Sequence, residues 1–407
     1  MPRADRRRQA LLAAATLIAS TALSLAAAEL VLDAWLDHQR QQAKAELDYD
    51  ATHRSALGPG GRGIPGFSGR VRDGFGGTVP WTNEAHGFRN EHDATPAPAP
   101  GVLRVLSLGD SFTAGYRVGQ EDTYSRRLEA WASERFGPTE VLVANIESPP
   151  RGVEWLERWG WGWAPDLVLM GVTLGNDVAS SWIALHPGPI TPAQVEAIEL
   201  PRDAWRPRPA SPLRAWLADR RIVQLLRGGR EAIGTSYNDA PTPRLFDGIN
   251  GLGVFLREPP PEMERAWERL FAVLVRFGEE CDARGIPCAV LVFPQRFQID
   301  ARDWELAVAR YGLVPGAFDL RAPDRRIAAF CARHALVCVD PTGAMAAAHA
   351  QRGEELYLPR GDMHWNAAGH RAFLEAAEPV LAERIAAARA RRGLGPAVPS
   401  AAAPRSR

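Results

Sequence analysis

The stretch VLRVLSLGDSFTAGY, residues 102–116, decides how the rest of the chain is read. An apolar run, VLRVLSL, stops at Gly109-Asp110-Ser111, and a small-residue turn then leads into a helical pattern. A short continuous apolar run closed by glycine reads as a strand buried on both faces. A serine at the mouth of such a strand either caps the next helix or is held out to react. Asp110 beside it reads as a brace for the turn.

The same pattern recurs downstream. EVLVANI (140–146) and DLVLMGV (166–172) are further strands. Helical spacing over 122–136 (Tyr124, Leu128, Trp131, Ala132, Phe136) precedes the first of them, and a short helix in VEWLERWGW lies between them. A long helix at 262–284, the strand IPCAVLVF (286–293), a helix near 323–334 and the strand ALVCVD (335–340) follow. The last helix runs from near Asn366 to about Arg391. Strands alternating with helices predict a parallel sheet with right-handed crossovers. Residues 178–260 interrupt the pattern with many prolines and read as an insertion over one edge of the sheet. Their one amphipathic helix, at 212–227, carries Arg214, Arg220 and Arg221 and either packs as a lid or lies on a membrane.

The ends of the chain read differently. Arg3, Arg6, Arg7 and Arg8 precede a charge-free run from Ala10 to Ala28. Nineteen helical residues at ~1.5 Å each span about 28 Å, enough for a bilayer core. Positive charge before the run predicts an N-terminus inside and a chain exported beyond it. Ala26-Ala27-Ala28 also suits a signal-peptidase site, so anchor and signal segment both stand, with the anchor favoured. On this reading residues 1–36 are the anchor or signal segment. Residues 37–99 are a juxtamembrane spacer and lead-in, 100–385 the α/β domain with its insertion, and 386–407 a low-complexity disordered tail.

Composition narrows the partners. The 48 acidic and 48 basic residues cancel, so no global field draws nucleic acid, and none is expected as a partner. Cys281, Cys288, Cys331 and Cys338 form two pairs with a spacing of seven, each linking a helix end to a strand start. They read as local bridges in an oxidising compartment or as small buried apolar residues, with three connectivities open. The spacing does not suit zinc, and no metal or organic cofactor is indicated.

In an open parallel sheet, ligands bind at the carboxyl ends of the strands. Three loops lie there: Gly109–Ser111, TLGND (173–177) and PRGDMHWNAAGH (359–370). Ser111 needs a base, and His364 is the candidate. Asp362 lies two residues earlier, so in extended backbone both side chains point the same way and the carboxylate can orient the ring. The Ser111 amide, at a helix start, and the Asn176 side chain are candidate oxyanion donors.

GDSFTAG, LGND and DMHWNAAGH, in this order, resemble the motif blocks of the SGNH hydrolases, the GDSL lipase/esterase superfamily. NEAHGFRNEHD (83–93) is similar to a segment of membrane-anchored bacterial members. The resemblance covers roughly residues 83–385. It implies a flavodoxin-like three-layer α/β/α sandwich with a central parallel sheet, here with an N-terminal transmembrane helix. It implies ester hydrolysis or acyl transfer through a serine acyl-enzyme, with Ser111 as nucleophile, His364 as base, Asp362 as its partner and Asn176 as oxyanion donor. Two departures stand out. The family's glycine after the second strand is replaced in ANIESPPRG by Glu147 or Pro150, and Gly152 is the candidate substitute donor. The acid and base follow the shorter D-x-H spacing, since Gly361 occupies the D-x-x-H position, as in polysaccharide O-acetyltransferase-like members.

Competing readings accompany these residues. Asn176 and Asp177 also suit a turn, His370 suits packing, and Asp340 in VDPTG is a rival orienter that reads better as a helix cap. Trp155, Trp159, Trp161 and Trp163 read as core before sugar platform. Arg151 reads as a surface arginine before an anion contact. The expectation is an esterase of the bacterial inner membrane, single-pass, with its catalytic domain on the periplasmic or extracellular side. Its substrate would be an acyl ester, acetyl among the candidates, on an envelope polysaccharide or lipid. An O-acyltransferase with the same triad and a catalytically degenerate glycan-binding domain are the alternatives.

Overall fold

The computed structural model describes residues 9, 12–32, 34–35, 63–73, 75, 77–183, 198–206, 243–246, 251–359 and 362–394. The expected helix at 212–227, residues 37–62 of the expected spacer and residues 395–407 of the expected tail lie outside them, whereas residues 386–391 of that tail belong to the last helix. The chain divides into two compact units, Met1–Thr52 with Arg208–Ser236, and His53–Pro207 with Tyr237–Arg407. In the first unit the described part is α1, Leu12–Leu32, with mean hydropathy 1.8. That is the length and apolarity of a membrane span, and equally of a signal sequence.

The second unit opens with a hairpin, β1 (Ser68–Arg72) and β2 (Thr78–Thr82), paired antiparallel. The sheet and its helices follow: β3 (Leu103–Gly109), α2 (Ser111–Ala114), α3 (Tyr124–Phe136), β4 (Thr139–Asn145), α4 (Pro149–Arg158), β5 (Leu167–Thr173) and α5 (Leu174–Ile183). After the insertion come α6 (Pro261–Asp282), β6 (Cys288–Phe293), α7 (Arg296–Ile299), α8 (Ala301–Tyr311), α9 (Ala322–Arg333), β7 (Cys338–Val339), α10 (Thr342–Arg352) and α11 (Ala367–Arg391).

The five strands β3 to β7 are parallel, in the order β4-β3-β5-β6-β7. With β3 counted as the first strand this is 2-1-3-4-5, the flavodoxin-like order that the SGNH resemblance implies. Alternation along each strand sorts the core into two layers. Leu106, Leu108, Val168, Met170, Val290 and Val292 face α4, α5, α6 and α9. Leu103, Val105, Leu167, Leu169, Ala289 and Leu291 face α3 and α11. Burial on both faces explains why these strands read as continuous apolar runs. Trp155 and Trp163 are buried in the first layer, with Trp159 and Trp161 packed against it, so the tryptophan cluster is core.

The lead-in segment covers an exposed sheet edge. Asn90 Nδ2 donates to Val141 O at 2.7 Å, and Val143 N donates to Asn90 Oδ1 at 3.1 Å. Arg89 N donates to Val143 O at 3.1 Å. These bonds satisfy outward groups of the edge strand β4. The expected strand 335–340 shrinks to two residues, and the β1–β2 hairpin, α8 and α10 were not legible as elements.

Candidate active site

Why β3 ends as it does follows from space. A Cβ at Gly109 would lie 2.1 Å from Thr113 Oγ1, so only glycine lets the chain turn there. Asp110 then caps α2, its Oδ1 accepting from Phe112 N at 2.9 Å. Its Oδ2 accepts from Thr173 Oγ1 at 2.7 Å, tying the Ser111 loop to the end of β5. The Asn176 side chain, in the first turn of α5, also reaches the Asp110 carboxyl. Burial pushes that carboxyl up, against the pull of Thr173, Phe112, His364 and Asn176. Asp110 is thus a brace, as its sequence context suggested.

The third loop is a small closed hairpin. Leu358 N donates to His364 O at 2.8 Å, and Tyr357 bridges Trp365 antiparallel. Asn366 caps α11 by accepting from Gly369 N, and donates to Glu355 O and Tyr357 O. Trp365 is buried against Phe112, Phe293 and Phe373, with ring centroids 4.9–5.1 Å apart. The motif's tryptophan and asparagine therefore hold the loop, while its aspartate and histidine face the serine.

Ser111 Oγ lies 2.6 Å from His364 Nε2, across 253 positions of sequence. His364 Nδ1 lies 2.6 Å from Asp362 Oδ1, which also accepts from His364 N at 3.0 Å. The Nδ1 proton donates to the carboxylate, leaving Nε2 free to accept from the serine hydroxyl. Burial raises the Asp362 carboxyl, but His364 beside it, its amide and Arg117 outweigh this and hold it below its ordinary value. The imidazole sits between two rings, Phe112 at 5.1 Å and Tyr116 at 4.6 Å.

Gly152 must be corrected as an oxyanion donor. It lies inside α4, where its N–H donates to Ser148 O at 2.9 Å and a Cβ would meet Ile146 and Met170. Glycine is there for close packing on the sheet, and its amide is already used. Pro149 and Pro150 begin α4, whereas Glu147 takes φ 67°, the left-handed backbone that glycine adopts freely. The Ser111 amide, by contrast, has no hydrogen-bond partner among the described residues. Asp340 is not the orienter: it accepts from Thr342 N at 3.0 Å and Thr342 Oγ1 at 2.6 Å at the start of α10. His370 is buried and accepts from Tyr124 N through Nδ1, and burial with Arg89 and Arg127 nearby lowers its pKa to about 3. Asp177 accepts from Thr173 N at 2.7 Å, which is the turn role. Arg151 pairs with Glu147 at 3.4 Å on the surface of α4.

Two arginines were missed. Arg296, in α7, donates to Asp362 O at 2.8 Å and Leu358 O at 3.2 Å and is itself held by Asp303 at 2.7 Å. Arg89 donates to Ala114 O, to Gly115 O at 2.6 Å and to Val118 O at 2.6 Å, pinning the loop after the serine. Arg296 carries no sequence signal, and Arg89 lies in the segment 83–93 without a role assigned to it, because both act on backbone carbonyls that any residue could present.

No protein-family model matches the chain, and no curated protein matches it. Among solved structures, an acetyl xylan esterase, AlAXEase, is similar at 12% identity and TM-score 0.38, covering 69% of this chain and 100% of its own. A catalytic mutant of Axe2, an acetylxylan esterase from Geobacillus stearothermophilus, is similar at 12% identity and TM-score 0.34, covering 70% and 94%. The lipase/acylhydrolase from Enterococcus faecalis is similar at 13% identity and TM-score 0.34, covering 69% and 96%. At these identities and scores the likenesses say nothing of this chain's substrate.

Proposed function

We propose that the protein is a serine esterase of the SGNH type that cleaves an acyl ester, acetyl among the candidates, on a cell-envelope glycan or lipid. The observation that carries this is the pair of 2.6 Å contacts joining Ser111 Oγ, His364 and Asp362 Oδ1. His364 Nε2 takes the Ser111 proton as Oγ attacks the ester carbonyl. The Ser111 amide and Asn176 Nδ2 steady the oxyanion, and the imidazolium returns its proton to the leaving alkoxide. Water, activated by the same ring, then releases the acid. Asp362 keeps one tautomer throughout. Its depressed pKa means it stays ionised at working pH.

The N-terminal helix α1 and the Cys331–Cys338 disulfide support an exported, single-pass placement in the inner membrane with the α/β unit outside. A fluorophosphonate probe should label the full chain and fail on Ser111→Ala, and the chain should hydrolyse p-nitrophenyl acetate. Absence of both would leave a glycan-binding domain, a reading that the hydrogen-bonded triad opposes. The same triad serves an O-acyltransferase in which a glycan hydroxyl replaces water, and the D-x-H spacing resembles such members. Acyl transfer to an added oligosaccharide outpacing release into water would establish that form.

A further inference from the structure

Cys331 and Cys338 form a disulfide, with Cα atoms 6.2 Å apart, while Cys281 and Cys288 are thiols. The two pairs sit in the same local structure. The first cysteine of each lies in the last turn of a helix, Cys281 in α6 and Cys331 in α9. The Cys281 carbonyl accepts from Arg284 N at 3.1 Å and Ile286 N at 3.0 Å. The Cys331 carbonyl accepts from His334 N at 3.3 Å and Leu336 N at 3.0 Å. The residue between those donors is left-handed in both loops, Gly285 at φ 62° and Ala335 at φ 53°. The second cysteine then opens a strand, β6 or β7, and these strands are parallel neighbours, Val290 opposite Cys338. The two backbone bonds and the left-handed residue that carry the chain from Cys331 to Cys338 are therefore repeated between Cys281 and Cys288. The Cys288 thiol beside it and burial push the Cys281 thiol up.

We propose that Cys281 and Cys288 close a second disulfide, alongside Cys331–Cys338, at the amino end of the sheet. The oxidant is a disulfide, either a small molecule or a dithiol–disulfide oxidoreductase. Cys288, half-buried where Cys281 is fully buried, loses its proton and attacks the oxidant's sulfur, expelling one thiol. Cys281 then loses its proton and displaces the second thiol from the mixed disulfide. Two protein thiols are oxidised and one external disulfide is reduced to two thiols. The proposal needs only these two loops and is independent of the esterase reading.

The test needs no variant. The full chain is incubated with oxidised glutathione, denatured without reductant, alkylated and digested with trypsin, which can cut after Arg284 and Arg333 inside the two loops. The expected result is two pairs of linked peptides, Cys281 with Cys288 and Cys331 with Cys338, and no alkylated cysteine. Alkylated Cys281 and Cys288, or a link from either to Cys331 or Cys338, overturns the proposal. As a second measurement, reductant should lower the Tm of the wild type by on the order of 5 °C more than that of Cys281→Ser/Cys288→Ser. An equal shift in both counts against the second bridge.

Discussion

The two ends of the parallel sheet are built on opposite terms. At the amino end, helix and strand are joined by tight loops of nearby residues, such as those around Cys281 and Cys331, whose backbone bonds close within a few positions. At the carboxyl end, Ser111, Asp110, Thr173 and His364 meet from remote parts of the chain. Polar groups there are buried at a cost: Asp177 Oδ1 and Gln295 Nε2 have no partner among the described residues. Burial, with Asp110 nearby, pushes the Asp177 carboxyl well up. One end closes through local backbone bonds, the other through side chains from remote segments, and mutations should separate them.

The sharpest separation is expected at the triad. Ser111→Ala or His364→Ala should lower kcat on an activated ester by about 10⁴-fold or more, with the Tm near wild type. A small loss would break the assignment of that end. Asn176→Ala should follow with about 10²–10³ in kcat, measured under saturation to isolate the chemical step.

A stability effect should appear at the carboxyl end through Asp324. Burial, with Asp340 nearby, raises its carboxyl to about 7, and Gln298 and Thr342 contact it. Folded chain keeps this proton from pH ~4 to about 7, where unfolded chain has released it. Stability should therefore fall as pH rises through that window, by on the order of 3 kcal/mol. In Asp324→Asn the slope should flatten, as read by denaturant unfolding across pH.

Smaller still is the loss expected at Arg296, which holds the carbonyls of Asp362 and Leu358 without touching the reacting atoms. Arg296→Ala should cost about 10- to 100-fold in kcat with little change in KM. A pure KM effect would make Arg296 a substrate contact instead. Least is expected of Asp177→Asn, within ~1 kcal/mol, because burial disfavours the charged carboxyl and the amide oxygen can still accept from Thr173 N. A large loss would show that the Asp177 carboxyl does more than accept from Thr173 N.

Legibility in the sequence divides along the same line. β3 and β5 were plain because burial on both faces leaves an unbroken apolar run. α8 was not, since its leading side chains are only partly buried, Trp304 and Val308 among them, so its periodic stripe is weak. The contacts joining Ser111, His364 and Asp362 were readable because few residue types supply a hydroxyl, an imidazole and a carboxylate. Gly152 misled because a glycine required by packing against Ile146 and Met170 looks, in sequence, like one required by an oxyanion.

By itself the sequence determined which strands are buried, where a serine, a histidine and an aspartate lie at strand ends, and that an apolar N-terminal segment precedes them, since hydrophobic period and residue type are local properties. Only the tertiary structure decided that the serine and imidazole, 253 positions apart, come within 2.6 Å, and that the Gly152 amide is occupied. The reason is physical: strand order and backbone hydrogen bonding are set by how layers pack, which no short window of residues contains.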